Sequence, residues 1–149
     1  MALILASSPL AAEFLHVELT IGGLDCISCA SSVDRALKRI KGVETATFRT
    51  QDSIAVVDLK PGNTVPIEQI RDAVKGIGYT PGSARIVALG EAYVKAGKWI
   101  FRVAGSDAEY TLDLPSGLAP LHGPMSIVEG TITNAGAALK VSAMRPSNQ

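Results

Sequence analysis

Residues 16–21 alternate in polarity, with Val17, Leu19 and Ile21 separated by Glu18 and Thr20, the period of a half-buried strand. The run breaks at Gly22-Gly23-Leu24-Asp25. Over residues 28–41 the interval lengthens. Ala30, Val33, Leu37 and Ile40 recur at helical spacing, while Ser32, Asp34, Arg35, Lys38 and Arg39 fall on the other faces, and Gly42 stands where a helix end favours glycine. Residues 43–50 and 53–59 are two β-rich segments separated by Gln51-Asp52, which predicts a hairpin. Pro61-Gly62-Asn63 closes the second segment. Pro66 then opens a helix that carries Ile67, Ile70, Val74 and Ile77 on one face until Gly76 and Gly78 stop it. Residues 83–89 predict a closing strand. The order strand, helix, strand, strand, helix, strand predicts an α+β, ferredoxin-like βαββαβ sandwich whose sheet is covered on one face by two helices.

The pattern changes at Gly90. Tyr93 and Val94 precede the turn Lys95-Ala-Gly-Lys98, after which Trp99, Phe101 and Val103 resume alternation. Tyr110, Leu112 and Leu114 predict another strand, and residues 127–133 and 138–144 a final hairpin about Asn134-Ala-Gly136. About five strands in ~55 residues predict a small all-β barrel or roll, OB-like at best. The expected organisation is an N-terminal tail or truncated signal peptide over residues 1–14, a first domain over 15–89 and a small β domain over 91–145.

Composition narrows the function classes. Of 149 residues 47% are hydrophobic and 19% charged, which excludes a disordered charged tail. Fourteen basic residues balance fourteen acidic ones, so bulk charge gives no reason to expect a nucleic acid partner. No apolar run approaches the ~18 residues of a membrane span, so no integral membrane segment is expected. Residues 1–12 are apolar, with a Pro and small residues before Glu13, but carry no basic residue. Read as a truncated secretory leader they predict a periplasmic or exported protein; read as a floppy tail, a cytoplasmic one.

The candidate chemistry lies in the only two cysteines, Cys26 and Cys29, three residues apart. Thiolates are soft donors, and two of them at this spacing in a glycine-opened loop can converge on one soft cation. Cys29 falls at the start of the predicted first helix, where unpaired N–H groups and the helix dipole favour the thiolate. No second Cys or His pair stands at zinc-finger spacing, and two accessible thiolates hold an ion less permanently than a closed four-ligand site.

Gly23-Leu-Asp-Cys26-Ile-Ser-Cys29, the helix after it, Gly42-Val43 and the distant Gly76-Ile-Gly78-Tyr79 together resemble the heavy-metal-associated domain, over about residues 15–89. That family includes small copper chaperones, the periplasmic mercury-binding protein and the N-terminal domains of metal-exporting P-type ATPases. The resemblance implies that Cys26 and Cys29 are the metal ligands and that Leu24 packs under the loop where relatives usually have Met. It also implies that Tyr79 shields the thiolates; a strand-edge core tyrosine is the competing reading. Asp25 is the departure from copper chaperones, and similar residues occur in zinc, cadmium and lead exporters. A carboxylate is a third ligand that a divalent ion can use and Cu(I) does not need, or else a loop acceptor for backbone N–H groups. The cargo therefore reads as Cu(I), favoured by the two-thiolate loop, with Zn(II), Cd(II) or Hg(II) as alternatives.

The function expected is non-enzymatic: one soft metal ion is bound and delivered to a metal-transporting ATPase or another metal-accepting protein in metal transport or detoxification. Arg35, Lys38 and Arg39, with Lys41, give the first helix a basic face beside the loop that would dock an acidic partner; solvation of the helix is the plainer explanation. A homodimer bridged by a shared ion is a further expectation. The rivals are a thiol–disulfide oxidoreductase using the same cysteines and an adaptor acting through the β domain. Against the oxidoreductase, Ile27-Ser28 between the cysteines contains no Pro and Gly-Gly-Leu-Asp precedes them. His122-Gly-Pro-Met125 offers an imidazole and a thioether but reads as a loop between strands. No nucleotide-binding loop, paired carboxylates or Ser-His-Asp set is present to suggest organic cofactor or hydrolytic chemistry.

Overall fold

The computed structural model describes residues 13–23, 27–106, 108–120, 125–133 and 137–147. The elements are β1 (Glu13–Gly22), α1 (Ile27–Lys38), β2 (Val43–Arg49), β3 (Ile54–Leu59), α2 (Ile67–Gly76), β4 (Thr80–Lys95), β5 (Lys98–Val103), β6 (Glu109–Asp113), β7 (Met125–Ile132) and β8 (Ala138–Pro146). Residues 1–12, the expected leader or tail, lie outside the described residues, as do Leu24, Asp25, Cys26, His122 and the expected turn 134–136.

The first half is the ferredoxin-like α+β arrangement that the element order predicts. Its strands run β2-β3-β1-β4, all antiparallel, with Val17 opposite both Val57 and Ile86. Val17, Leu19 and Ile21 of β1 join Val33 and Leu37 of α1 and Ile70 and Val74 of α2 in the core, all essentially without solvent exposure. A bulge between Phe14 and His16 lets Phe14 and Val17 both turn inward, so the strand starts earlier than strict alternation suggests. Ile77, expected on the buried face of α2, is instead 37% exposed. It is the residue on which the helix ends, and its backbone has already left the helical path. Asp34, expected off the apolar face of the helix, accepts the Phe48 N–H at 2.7 Å and so covers part of the β2 edge.

The second half is a closed ring of strands. β4 pairs with β5, β5 with β6, β6 with β8, β8 with β7, and β7 returns to β4. The β6–β8 pairing is the one parallel contact among the described strands. The strand predicted over 83–89 does not stop at Gly90 but runs unbroken from Thr80 to Lys95. Its first part serves the ferredoxin sheet through β1. Residues 84–91 also pair with β7, and 90–95 pair with β5, so one strand is shared by both halves.

Gly90 is required by a close approach rather than by a turn. A Cβ there would lie 2.1 Å from the Arg102 carbonyl oxygen and 2.7 Å from Phe101 Cζ. Phe101, Val103, Val128, Ile132 and Leu139 fill the ring, and they form one continuous cluster with the core beneath α1 and α2. Arg71 of α2, buried to 6% exposure, ties the halves further: its Nη2 donates to Thr133 O, at the end of β7, at 3.3 Å.

Candidate metal centre

The site stands where β1 hands over to α1. β1 remains paired with β4 up to Gly22, opposite Thr80. Gly23 then turns the chain with φ +86°, a left-handed conformation that suits glycine. Asp25 and Cys26, the expected third ligand and first ligand, lie outside the described residues. Cys29 is the third residue of α1, half-buried within its first turn. The first turn of α1 contains no acidic side chain. Cys29 is disulfide-bonded in this structure, so a ligand role requires its reduction first.

Tyr79 reaches the same place from the other end of the domain. α2 terminates with the Gly78 N–H donating to Lys75 O at 3.0 Å and the Tyr79 N–H to Val74 O at 3.3 Å, while Gly78 adopts φ +94°. This paired termination is characteristic of a left-handed glycine cap, and it turns the chain so that β4 starts immediately afterwards. The Tyr79 ring consequently lies beside the turn: a Cβ on Gly23 would be 4.0 Å from its Cδ1. Tyr79 is partly buried against the core as well, so shielding of the loop and core packing are compatible roles for one ring.

Arg35, Lys38 and Arg39 are all exposed. Arg35 and Arg39 line a depression of about 160 Å³ together with Ser32, Ala36 and the exposed Ile77, whereas Lys38 is not part of it. The basic residues of α1 thus share a surface with an apolar side chain at the end of α2. Helical periodicity groups the arginines; Ile77 was missed because it was counted as core.

Sequence reading also left His16 without a partner. Its Nδ1 lies 2.6 Å from Asp58 Oδ1 and its Nε2 3.3 Å from Glu18 Oε1, on the sheet face away from the helices. Burial lowers the His16 pKa, but hydrogen bonds to Asp58 and Glu18, with the charges of both, more than offset it and leave it raised. The two carboxylates address opposite nitrogens of the ring, a geometry that cannot close on one ion. Among the described residues no group of three or more His, Cys, Asp or Glu side chains is arranged to hold a metal. Met125, expected in a loop with His122, is the first residue of β7.

A family model for the heavy-metal-associated domain matches residues 18–80. Copper-transporting ATPase 2 of Rhizobium meliloti is 40% identical over 62 residues, 42% of this chain and 7% of that transporter. The zinc-transporting ATPase of Synechocystis is 31% identical over 74 residues, 50% of this chain and 10% of that protein. The chain thus spans a tenth or less of the length of these curated relatives. Among solved structures, the CopZ metallochaperone is 29% identical over 44% of this chain and 97% of its own, with a TM-score of 0.42.

Proposed function

We propose, from the match of residues 18–80 to the family model for the heavy-metal-associated domain, that the protein is a non-enzymatic carrier that binds one soft metal ion through Cys26 and Cys29 and passes it to a metal-accepting partner. The observation that carries the reading is the position of Cys29, in the first turn of α1 just beyond the left-handed turn at Gly23, with the Tyr79 ring alongside. A thiolate there is stabilised by the helix end and remains within reach of a partner's ligands. Two thiolates favour Cu(I). Asp25 supplies a hard oxygen that Zn(II) or Cd(II) could recruit as a third ligand, with Zn(II) the best suited to it, while Hg(II) would need only the two thiolates. The relatives named as copper- and zinc-transporting ATPases support a metal-transporting ATPase as the acceptor, with Arg35, Lys38 and Arg39 as its docking residues.

We assign residues 15–89 to the metal-carrying part and 91–145 to a second, OB-like part, the two sharing β4. The OB-like assignment is supported by a five-strand ring in the order β4-β5-β6-β8-β7 that closes on β4, with β6 and β8 parallel.

The test offers reduced protein Cu(I), Zn(II), Cd(II) and Hg(II) in competition and identifies the bound ion and its stoichiometry by native mass spectrometry. One ion per chain is expected, or one per two chains if the ion bridges a dimer. Ser at positions 26 and 29 should abolish uptake and leave the far-ultraviolet spectrum intact. Equal loading of the double variant would overturn the reading. The disulfide at Cys29 favours one rival, thiol–disulfide exchange; turnover of a disulfide substrate with a dithiol reductant would support that rival, and its absence would dismiss it.

A further inference from the structure

The hairpin between β4 and β5 leaves the ring. β7 pairs with β4 only as far as Glu91, and β6 pairs with β5 only from Ile100, so residues 92–95 extend past β7, residues 98–99 extend past β6, and 94–95 and 98–99 are held in ladder pairing by each other alone. At strand rise this is a projection of roughly 7 to 13 Å. It is stiff. The two-residue turn has φ 52° at Ala96 and 75° at Gly97, the primed geometry that matches strand twist. Its base is braced on the outer face, where the Tyr93 hydroxyl donates to the Glu109 carboxylate. Arg102 Nη2 donates to the same carboxylate at 3.0 Å and to the Tyr93 oxygen at 3.1 Å, with the guanidinium 4.9 Å from the Tyr93 ring centroid.

The tip itself runs against ordinary surface chemistry in two ways. Lys95 and Lys98 stand directly opposite each other, a like-charge pairing that disfavours the hairpin. Lys95 reaches Glu109 at 3.4 Å, whereas Lys98 has no ion pair among the described residues. On the other face Val94, 48% exposed, is paired with Trp99, itself only partly covered by the core. Cations therefore project from one face of the narrow ribbon and Val94, beside the partly buried Trp99, from the other. A protein surface would meet only one of those faces. A ribbon that enters a lipid headgroup layer tip-first is surrounded on both, its apolar side chains directed to the acyl boundary and its ammonium groups to phosphates.

We propose that the β4–β5 hairpin tip is a membrane-surface contact, with Val94, Lys95, Lys98 and Trp99 entering the headgroup layer of an anionic bilayer. No helix among the described residues is long and apolar enough to cross a membrane. The contact does not depend on the metal reading, because none of its residues belongs to that site.

Trp99 is the chain's single tryptophan, so its fluorescence reports this tip alone. The full chain is titrated with vesicles of phosphatidylcholine mixed with phosphatidylserine, and with vesicles of phosphatidylcholine only. The expected result is a blue-shifted emission and co-sedimentation with the anionic vesicles, both reduced by salt. Lys98→Glu should weaken partitioning about tenfold, and Val94→Ser should weaken it several-fold. Both sites are at the exposed tip, and circular dichroism of each variant checks that it is folded. No shift and no sedimentation with anionic vesicles would overturn the proposal, as would partitioning unchanged in Lys98→Glu. An equal shift with soluble poly-glutamate would also overturn it and point to an acidic protein instead.

Discussion

His16 and Asp58 are joined across β1 and β3 by a 2.6 Å contact between Nδ1 and Oδ1, although 42 residues separate them in the chain. The hydrogen bond from His16 is the largest influence on Asp58 and holds its pKa below the usual value, against the effect of burial and with help from Thr45. Glu18 occupies the other ring nitrogen. When the ring is protonated both nitrogens donate; when it is neutral one lone pair must face a carboxylate.

A stability profile with a defined window follows. The raised His16 pKa contributes stability that is complete below about pH 6.5 and is lost as pH rises through the folded value. The lowered Asp58 pKa contributes stability present above 3.8 and lost as pH falls through its folded value. His16→Gln should therefore cost most between those limits. With side chains 30% and 50% exposed, solvent screens the pair, and the cost is set at about 0.5 to 1 kcal/mol. Urea unfolding at about pH 5.5 and pH 8.5 checks this: the gap between wild type and variant should shrink at the higher pH, and an equal gap at both would refute the linkage.

Gly90→Ala should destabilise the entire chain. The added methyl meets the Arg102 backbone, which cannot step aside as a flexible side chain would, so a loss of about 2 to 4 kcal/mol is expected. Because one core runs through both halves, unfolding should stay a single transition. Trp99 fluorescence, a probe of the second half, and far-ultraviolet circular dichroism should lose signal at the same urea concentration. Separate midpoints would show that the halves melt independently.

The sequence made the first half legible because its elements alternate between the periods of 2 and 3.6 and are punctuated by Gly42, Pro61 and Pro66. The ring was legible as five strands of a small barrel or roll, but not in its strand order. The parallel pairing of Thr111 with Ala138 and the return of β7 to β4 depend on partners far apart in the chain, on which local alternation is silent. Gly90 misled because glycine in a strand pattern signals either a break or a close approach, and only the Arg102 carbonyl decides which. His16 stands at the start of the predicted first strand, and its partner is set by the β1–β3 register. For Cys29 the glycine-opened loop and helix start were readable directly. Tyr79's approach to Gly23 rested on a resemblance, because a helix cap 55 residues beyond it in the chain supplies the ring.

If Tyr79 shields the metal loop, Tyr79→Ala should leave the metal stoichiometry unchanged and raise the exchange rate. The ring lies beside Gly23, so its removal opens the turn to solvent and to competing thiols. Alkylation of the reduced protein should become several-fold faster, and the loss of ring packing should cost about 1 to 3 kcal/mol given its partial burial. Alkylation kinetics measured well below the variant's melting point separate the two effects. An unchanged rate would leave Tyr79 as a packing residue only.

Docking through α1 predicts a charge effect on rate rather than on equilibrium. Arg35 and Arg39 border the depression that contains Ile77, so an acidic acceptor bearing an apolar side chain meets both features at once. Replacing both arginines by Glu should slow bimolecular metal transfer to such an acceptor by about tenfold or more at low salt, because like charge suppresses the encounter. The difference should narrow as ionic strength rises and the Debye length falls to about 8 Å. Lys38→Glu, outside the depression, should slow transfer less. Ile77→Ser should instead act at every salt concentration, since the contact it removes is apolar. Stopped-flow transfer measured against salt distinguishes these cases, and a double arginine variant that transfers as fast as wild type at low salt would show that the basic residues only solvate the helix.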